Sequence, residues 1–328
     1  MSLFDDNPPN PLEPFRDPQP QTAESAESQS AEAPAVPPLA GDPISYAALA
    51  QPSGPNLPED LRISWSWVHL LVFIIFAIVS QLAISTAVIG YYSVYRHLPQ
   101  ARVKHILESD PQLLVGTSVI AFALMILFLY VTLSVLRDMP FWRTLGWKRL
   151  KSDPTAGKGR PWMYFLSGCG LSIFVALAGS RVKDAERAPI QEFFKSRNGA
   201  MLLLAMAVLV APLVEETIFR GYLYPVLARI ISAIAQFFGM EFPVAIRTGV
   251  IASVLTTGVL FGLVHAPQLG QNWPLVSLLI LVGVVFTFAR AWTGTVVASF
   301  FLHLGYNSMI AVTAIIATKG FSHMPPGR

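Results

Sequence analysis

From Ile63 onward the chain alternates long apolar runs with short polar loops, and that pattern permits very few folds. In hydrocarbon every backbone N–H and C=O must find a partner inside the protein, which leaves only helices and closed barrels. A spanning helix needs about 20 apolar residues and a spanning strand about 10, so runs of this length select helices. They fall at about 65–93, 113–136, 162–180, 200–220, 247–266, 274–290 and 294–317. Asp110-Pro111 and Pro161 supply a cap or a first turn ahead of the second and third runs. Residues 221–239 either extend the fourth span past Pro225 or lie in the interface as an amphipathic helix with Arg229 and Gln236 outward. The expectation is an all-α, polytopic transmembrane helical bundle of seven or eight spans. Composition agrees: only 13% of the residues are charged, against about 25% in a soluble domain.

Residues 1–60 are of another kind. They hold 13 of the 26 prolines, 10 acidic residues and a single basic one, Arg16. A segment so polar and so charged cannot bury enough surface to offset ordering entropy, so it reads as a disordered, acidic, Pro-rich tail. It contains no apolar stretch of the kind a cleavable signal peptide needs. Its net charge of −9 against +3 for the whole chain leaves +12 on the remainder. Much of that sits between the second and third spans, in Arg137, Arg143, Lys148, Arg149, Lys151, Lys158 and Arg160. A loop so basic belongs on the cytoplasmic side, which places the N-terminus there too. The next loop, with Arg181, Lys183, Arg187, Lys195 and Arg197, blurs the asymmetry. The single cysteine, Cys169, excludes an internal disulfide and reads as a small core residue.

Against this apolar background a few polar side chains stand out. Glu215 and Glu216 end the fourth run, His265 ends the fifth, and His303 and Asn307 lie inside the seventh. A charge at bilayer depth costs about 2.5–3.5 kcal/mol on insertion scales, so ionisable residues there usually have a task. Glu216 and Arg220 are four apart and share a helix face, in the favourable order for an ion pair. Glu215 is rotated by about 100° from Glu216 and is free to address a cavity. His303 and Asn307 are also spaced i, i+4, as are Phe261 and His265. Such a set can supply a base, a second polar group and donors for a developing oxyanion. Each member taken alone also has a structural reading: His265 as hydrogen-bonded glue, Glu216–Arg220 as an ion pair, Asn307 as a packing contact. His69, near the start of the first span, reads as interfacial. Convergence of three separate spans favours a site.

The segments that carry these residues resemble a known family. EETIFR (Glu215–Arg220) is similar to the EExxxR motif of the type II CAAX prenyl protease family, part of the wider CPBP (ABI) group of intramembrane proteases. FGLVH (Phe261–His265) and HLGYN (His303–Asn307) are similar to its FxxxH and HxxxN motifs, in the same order, and GYLYP follows the first. The resemblance covers about residues 110–318. It implies domains at 1–60 (tail), 61–108 (first span and loop) and 109–320 (intramembrane protease). It further implies an endopeptidase that cuts a membrane-associated or lipidated, CAAX-like protein, with no nucleic-acid partner. By that analogy Glu215 and His265 activate water, His303 and Asn307 hold the oxyanion, and Glu216 and Arg220 support the site. Family members are often described as metalloproteases. Zinc on Glu215, His265 and His303 is therefore one reading, but HExxH is missing and a Glu/His pair working on water without metal is favoured.

The spacing raises a geometric condition. Glu215 lies about 15 residues into its apolar run and His265 about 18 into the next, so antiparallel spans at 1.5 Å per residue would carry them apart. They meet if the fourth helix continues through residues 221–230, and a longer fourth helix is the expectation. Two other functions fit the same residues: a non-catalytic immunity or scaffold protein of this fold, and a proton-coupled transporter using Glu, His and Arg as a relay. The lack of a visible internal repeat counts against the transporter.

Overall fold

The computed structural model describes residues 57–150, 159–183, 185, 189 and 196–323. Most of the expected tail, through residue 56, lies outside the described residues, as do Lys151, Lys158, Arg187 and Lys195 of the basic loops. The described residues fall in one compact unit, Ala50–Arg328.

Helices begin where the sequence supplies caps. The Asp110 carboxylate accepts from the backbone N–H of Gln112 and Leu113, and Pro111 pre-sets the first turn. Ser196, Asn272 and Thr295 cap three further helices in the same way, accepting from Gly199, Leu275 and Val297. The helices are α1 (Trp67–Tyr95), α2 (Gln100–Ser109), α3 (Pro111–Val135), α4 (Phe141–Thr144), α5 (Pro161–Gly179), α6 (Arg197–Phe237), α7 (Phe242–Val264), α8 (Trp273–Thr293) and α9 (Val296–Ala317). There is no strand among the described residues. Seven of these helices, all but α2 and α4, are long and apolar enough to cross a membrane. Residues 221–237 continue α6, and no eighth helix of this kind is found among the described residues.

Large apolar side chains face outward along these helices, among them Leu82, Leu177 and Leu209. Exposed patches of that extent are foreign to a soluble monomer and natural against lipid. Association between such helices relies on close backbone approach at small residues. α9 packs along α5, and α7 packs along both α8 and the second half of α6. A Cβ at Gly305 of α9 would overlap the Phe165 carbonyl of α5, and one at Gly258 of α7 would collide with Val284 of α8. Ahead of α1, residues Glu59–Leu61 form one helical turn docked on the bundle. Leu61 is buried there against Tyr224, Ala228 and Val254.

α6 is 41 residues long and uneven. It widens to a π turn at Met206–Val210, ahead of Pro212, and again at Thr217–Leu223, ahead of Pro225. Proline lacks an N–H and crowds the preceding turn, and an extra residue per turn relieves both. Glu215 and Glu216 therefore sit on a single α-helical stretch, Ala211–Glu216, between two widened turns.

Candidate active site

The continuous α6 satisfies the geometric condition set by the sequence. The α6–α7 hairpin turns near Met240, with Glu215 25 residues before it and His265 25 residues after it. Antiparallel helices in that register bring the two side chains to the same level. The His265 Nε2 lies 3.9 Å from Glu215 Oε1. From α9, His303 Nε2 lies 3.9 Å from the other oxygen, Oε2. The Glu215 side chain retains 13% exposure and His265 20%, so the pocket they line is not sealed.

Hydrogen bonds fix the orientation of both imidazoles. His265 Nδ1 is 2.7 Å from the Phe261 carbonyl, which can only accept, so Nδ1 carries the proton and a neutral ring presents its Nε2 lone pair toward Glu215. His303 Nδ1 is 2.9 Å from Glu216 Oε1. The same oxygen accepts from Arg220 at 2.8 Å within a fully buried pair. Arg220 also donates to the Gly283 carbonyl at 3.0 Å and to Thr287 Oγ1 at 3.3 Å. Its guanidinium lies 4.5 Å from the Phe261 ring centre and 5.3 Å from that of Phe286, within cation–π range. A buried charge needs pairing and further hydrogen bonds to be tolerated, and Arg220 has both. It ties α6 to α8 and holds Glu216 where Glu216 can orient His303.

Asn307, one turn beyond His303 on α9, has a different contact. Its Nδ2 donates to the Ala207 carbonyl at 2.7 Å. In the widened turn the Ala211 N–H bonds Met206, five residues back. The next donor in that register is Pro212, which has none, so Ala207 lacks a helical partner and Asn307 provides it. The amide nitrogen carries a second N–H. Beside the oxyanion role that the resemblance implies, the Asn307 side chain therefore holds the widened turn.

Several supporting groups carried no signal of their role in the sequence. Thr287 and Phe286 sit in an evenly apolar run, and Phe286 lies against the His303 ring at 4.7 Å between centroids. Trp147, from the loop after α4, donates to Thr217 Oγ1 at 3.1 Å, directly behind the carboxylate pair. His69 donates or accepts at 2.7 Å with the Tyr222 hydroxyl and at 3.0 Å with Thr132. It joins α1 and α3 to α6 instead of lying free in the interface. Only Phe261, as the first residue of FGLVH, carried a signal.

The donor chemistry of Glu215, His265 and His303 suits zinc, but the spacing does not. Ligand bonds of about 2.0–2.1 Å in a tetrahedral site put donor atoms roughly 3.3 Å apart, and credible sites hold to about 0.2 Å. Both separations here are 3.9 Å, and no group of three His, Cys, Asp or Glu among the described residues is placed to hold a metal ion. An oxygen at a hydrogen-bond distance of about 2.8 Å from each atom of such a pair would see them at about 90°. That is close to the angle between the two O–H bonds of water.

A multi-pass helical membrane protein with a buried carboxylate–imidazole–guanidinium cluster in its bundle is the class these features define. Residues 197–309 match the family model described as type II CAAX prenyl endopeptidase Rce1-like. That segment, about a third of the chain, is similar to the CAAX-type intramembrane proteases. The matched segment contains all six candidate residues, from Glu215 to Asn307. No curated protein and no solved structure matches the chain.

Proposed function

We propose that the protein is an intramembrane endopeptidase in which Glu215 and His265 activate a water molecule without a metal ion. The observation that carries this reading is the Glu215 carboxylate flanked by two imidazole Nε2 atoms, each at 3.9 Å. A water held there loses a proton to Glu215, with His265 accepting its second hydrogen bond, while its oxygen attacks the scissile carbonyl carbon. The carbonyl oxygen becomes an oxyanion that accepts from His303 Nε2–H and from the second N–H of Asn307. His303 donates only if both ring nitrogens carry protons. Its counter-ion is Glu216 at 2.9 Å, and Glu215, Glu216, Arg220 and His303 then sum to zero charge. Collapse of the intermediate breaks the C–N bond and returns the proton from Glu215 to the leaving amine. One water is consumed, and a carboxylic acid and an amine are formed.

The substrate class comes from the family description, a CAAX prenyl endopeptidase. We propose a prenylated C-terminal peptide, presented from the bilayer. The test is cleavage of a farnesylated CAAX peptide by the purified full chain. Cleavage by the native protein and loss of it in Glu215→Gln support the reading. Binding without turnover would return the scaffold reading, and proton flux without cleavage the transporter. Exhaustive chelation should leave the rate unchanged. Stoichiometric zinc that vanishes in both His265→Ala and His303→Ala would overturn the metal-free mechanism and leave the protease assignment standing.

A further inference from the structure

We infer that the protein has a second site, at the end of the bundle where α1, α5, α7 and α9 begin, that binds a phosphate group at the membrane interface. A cavity of about 310 Å³ opens there, at the small end of the range for ligand pockets. Its lining includes four cationic side chains, Arg62, Arg143, Lys148 and Arg290, and two carboxylates, Glu59 and Asp60. The excess is two positive charges. None of the candidate catalytic residues lines it.

Arg290 is the decisive residue. It is only 2% exposed and lies near the C-terminal end of α8. Its ion pair with Asp60 is a long one, 3.4 Å from Nη1 to Asp60 Oδ2, and its Nε has no hydrogen-bond partner among the described residues. Two further buried hydroxyls on the cavity wall, Ser64 Oγ and Thr144 Oγ1, likewise lack partners among the described residues. Buried polar groups left unpaired cost free energy, and three such donors around a single cavity, one of them in a guanidinium, describe a site for an anion with several acceptor oxygens. Guanidinium and phosphate match in geometry. The glycine at 146, with φ of 82°, keeps the wall open, because a Cβ there would come within 3.0 Å of Arg290 NH2.

The depth of the cavity selects the source of the phosphate. Trp67, Trp142, Trp162 and Trp292 are all about half exposed or more and all lie at this same end. Tryptophan collects at headgroup level, and basic pockets between helices at that level accept anionic lipid headgroups. Asp60 then acts as an internal counter-ion that an incoming phosphate displaces from Arg290.

The test uses the purified full chain in neutral detergent, with its Tm followed on titration with short-chain phosphatidylglycerol, short-chain phosphatidylcholine or inorganic phosphate. Phosphatidylglycerol is expected to raise Tm saturably. Arg143→Gln combined with Lys148→Gln, both at accessible positions, should weaken its apparent Kd at least tenfold. Asp60→Asn, which removes the internal competitor, should tighten it several-fold, an effect that a purely structural Asp60–Arg290 pair does not produce. A shift by phosphatidylglycerol alone identifies the lipid headgroup, and an equal shift by inorganic phosphate identifies free phosphate as sufficient. No saturable shift with either anion, or a shift that is the same in the double variant and in Asp60→Asn, overturns the site.

Discussion

Three side chains, two on α6 and one on α9, divide the chemistry, and each has a distinct expected loss. Glu215 is the proposed base, so Glu215→Gln should lower kcat by about 10²-fold or more, within the range of general-base contributions. Thermal stability should be unchanged, because Glu215 makes no hydrogen bond shorter than its 3.9 Å approaches to the imidazoles. Native kcat in Glu215→Gln contradicts the role. Arg220 belongs to the fold. Arg220→Ala leaves Glu216 buried without its partner, a change that costs about 3–5 kcal/mol, and should appear first as a lowered Tm. Asn307 has both roles. Asn307→Ala should raise the barrier by about 2.7–4 kcal/mol if one oxyanion donor is lost, and should also cost about 1–3 kcal/mol of stability as the Ala207 carbonyl is left unpaired. Full activity at native Tm in Asn307→Ala would remove Asn307 from the site. The residues themselves were legible because charge and imidazole are conspicuous in apolar runs. Their partners Thr287, Gly283 and Trp147 were not, because a hydroxyl, a backbone carbonyl and a loop indole have no periodic signature.

At the scale of the helix, the widened turns of α6 set the direction of the carboxylates. One extra residue in a turn rotates everything beyond it by about 100°. Closing the turn at Met206–Val210 would therefore swing Glu215 away from His265. Pro212→Ala restores an N–H, removes the steric reason for the wide turn, and gives the Ala207 carbonyl a helical donor. The expected result is a Tm equal to or above native with kcat reduced at least tenfold, a separation of stability from activity. Native activity in that variant would show that the turn is held by tertiary contacts alone. The seven spans were readable to within a few residues, apart from the end of the fourth, because length and apolarity define them. Local sequence around Pro225 is compatible with either structure over 221–237, and the longer fourth helix was expected only from the condition that Glu215 meet His265. Only the register of the α6–α7 hairpin, which brings Glu215 opposite His265, decides it physically. The turn at Glu59–Leu61 shows the opposite limit: acidic residues read as tail find Lys148 at 2.7 Å and Arg290 at 3.4 Å, partners 89 and 230 positions away.

Seven crossings place the two ends of the bundle on opposite faces of the membrane, and the depth of the site follows from that. His303 is seven residues, about 10 Å, from the start of α9. It therefore lies closer to the end that carries Arg137, Arg143, Lys148, Arg149 and Arg160 than to the end where α9 finishes. That basic end also bears the exposed Trp67, Trp142, Trp162 and Trp292 and the second cavity. We propose from the positive-inside rule that this end is cytoplasmic, and a lipidated peptide approaching from the cytoplasmic leaflet would then have only about 10 Å to descend. The test starts from Cys169→Ala, since Cys169 is the only native cysteine. New cysteines at the exposed positions of Arg149→Cys and Ser322→Cys, at opposite ends, are then treated with a membrane-impermeant maleimide. In intact cells the cysteine at 322 should react and the one at 149 should not, with the pattern reversed in inside-out vesicles. Reaction of both from one side would mean an even number of crossings. A reversed pattern would keep the seven spans and put the site, the basic cavity and the substrate peptide on the outer face.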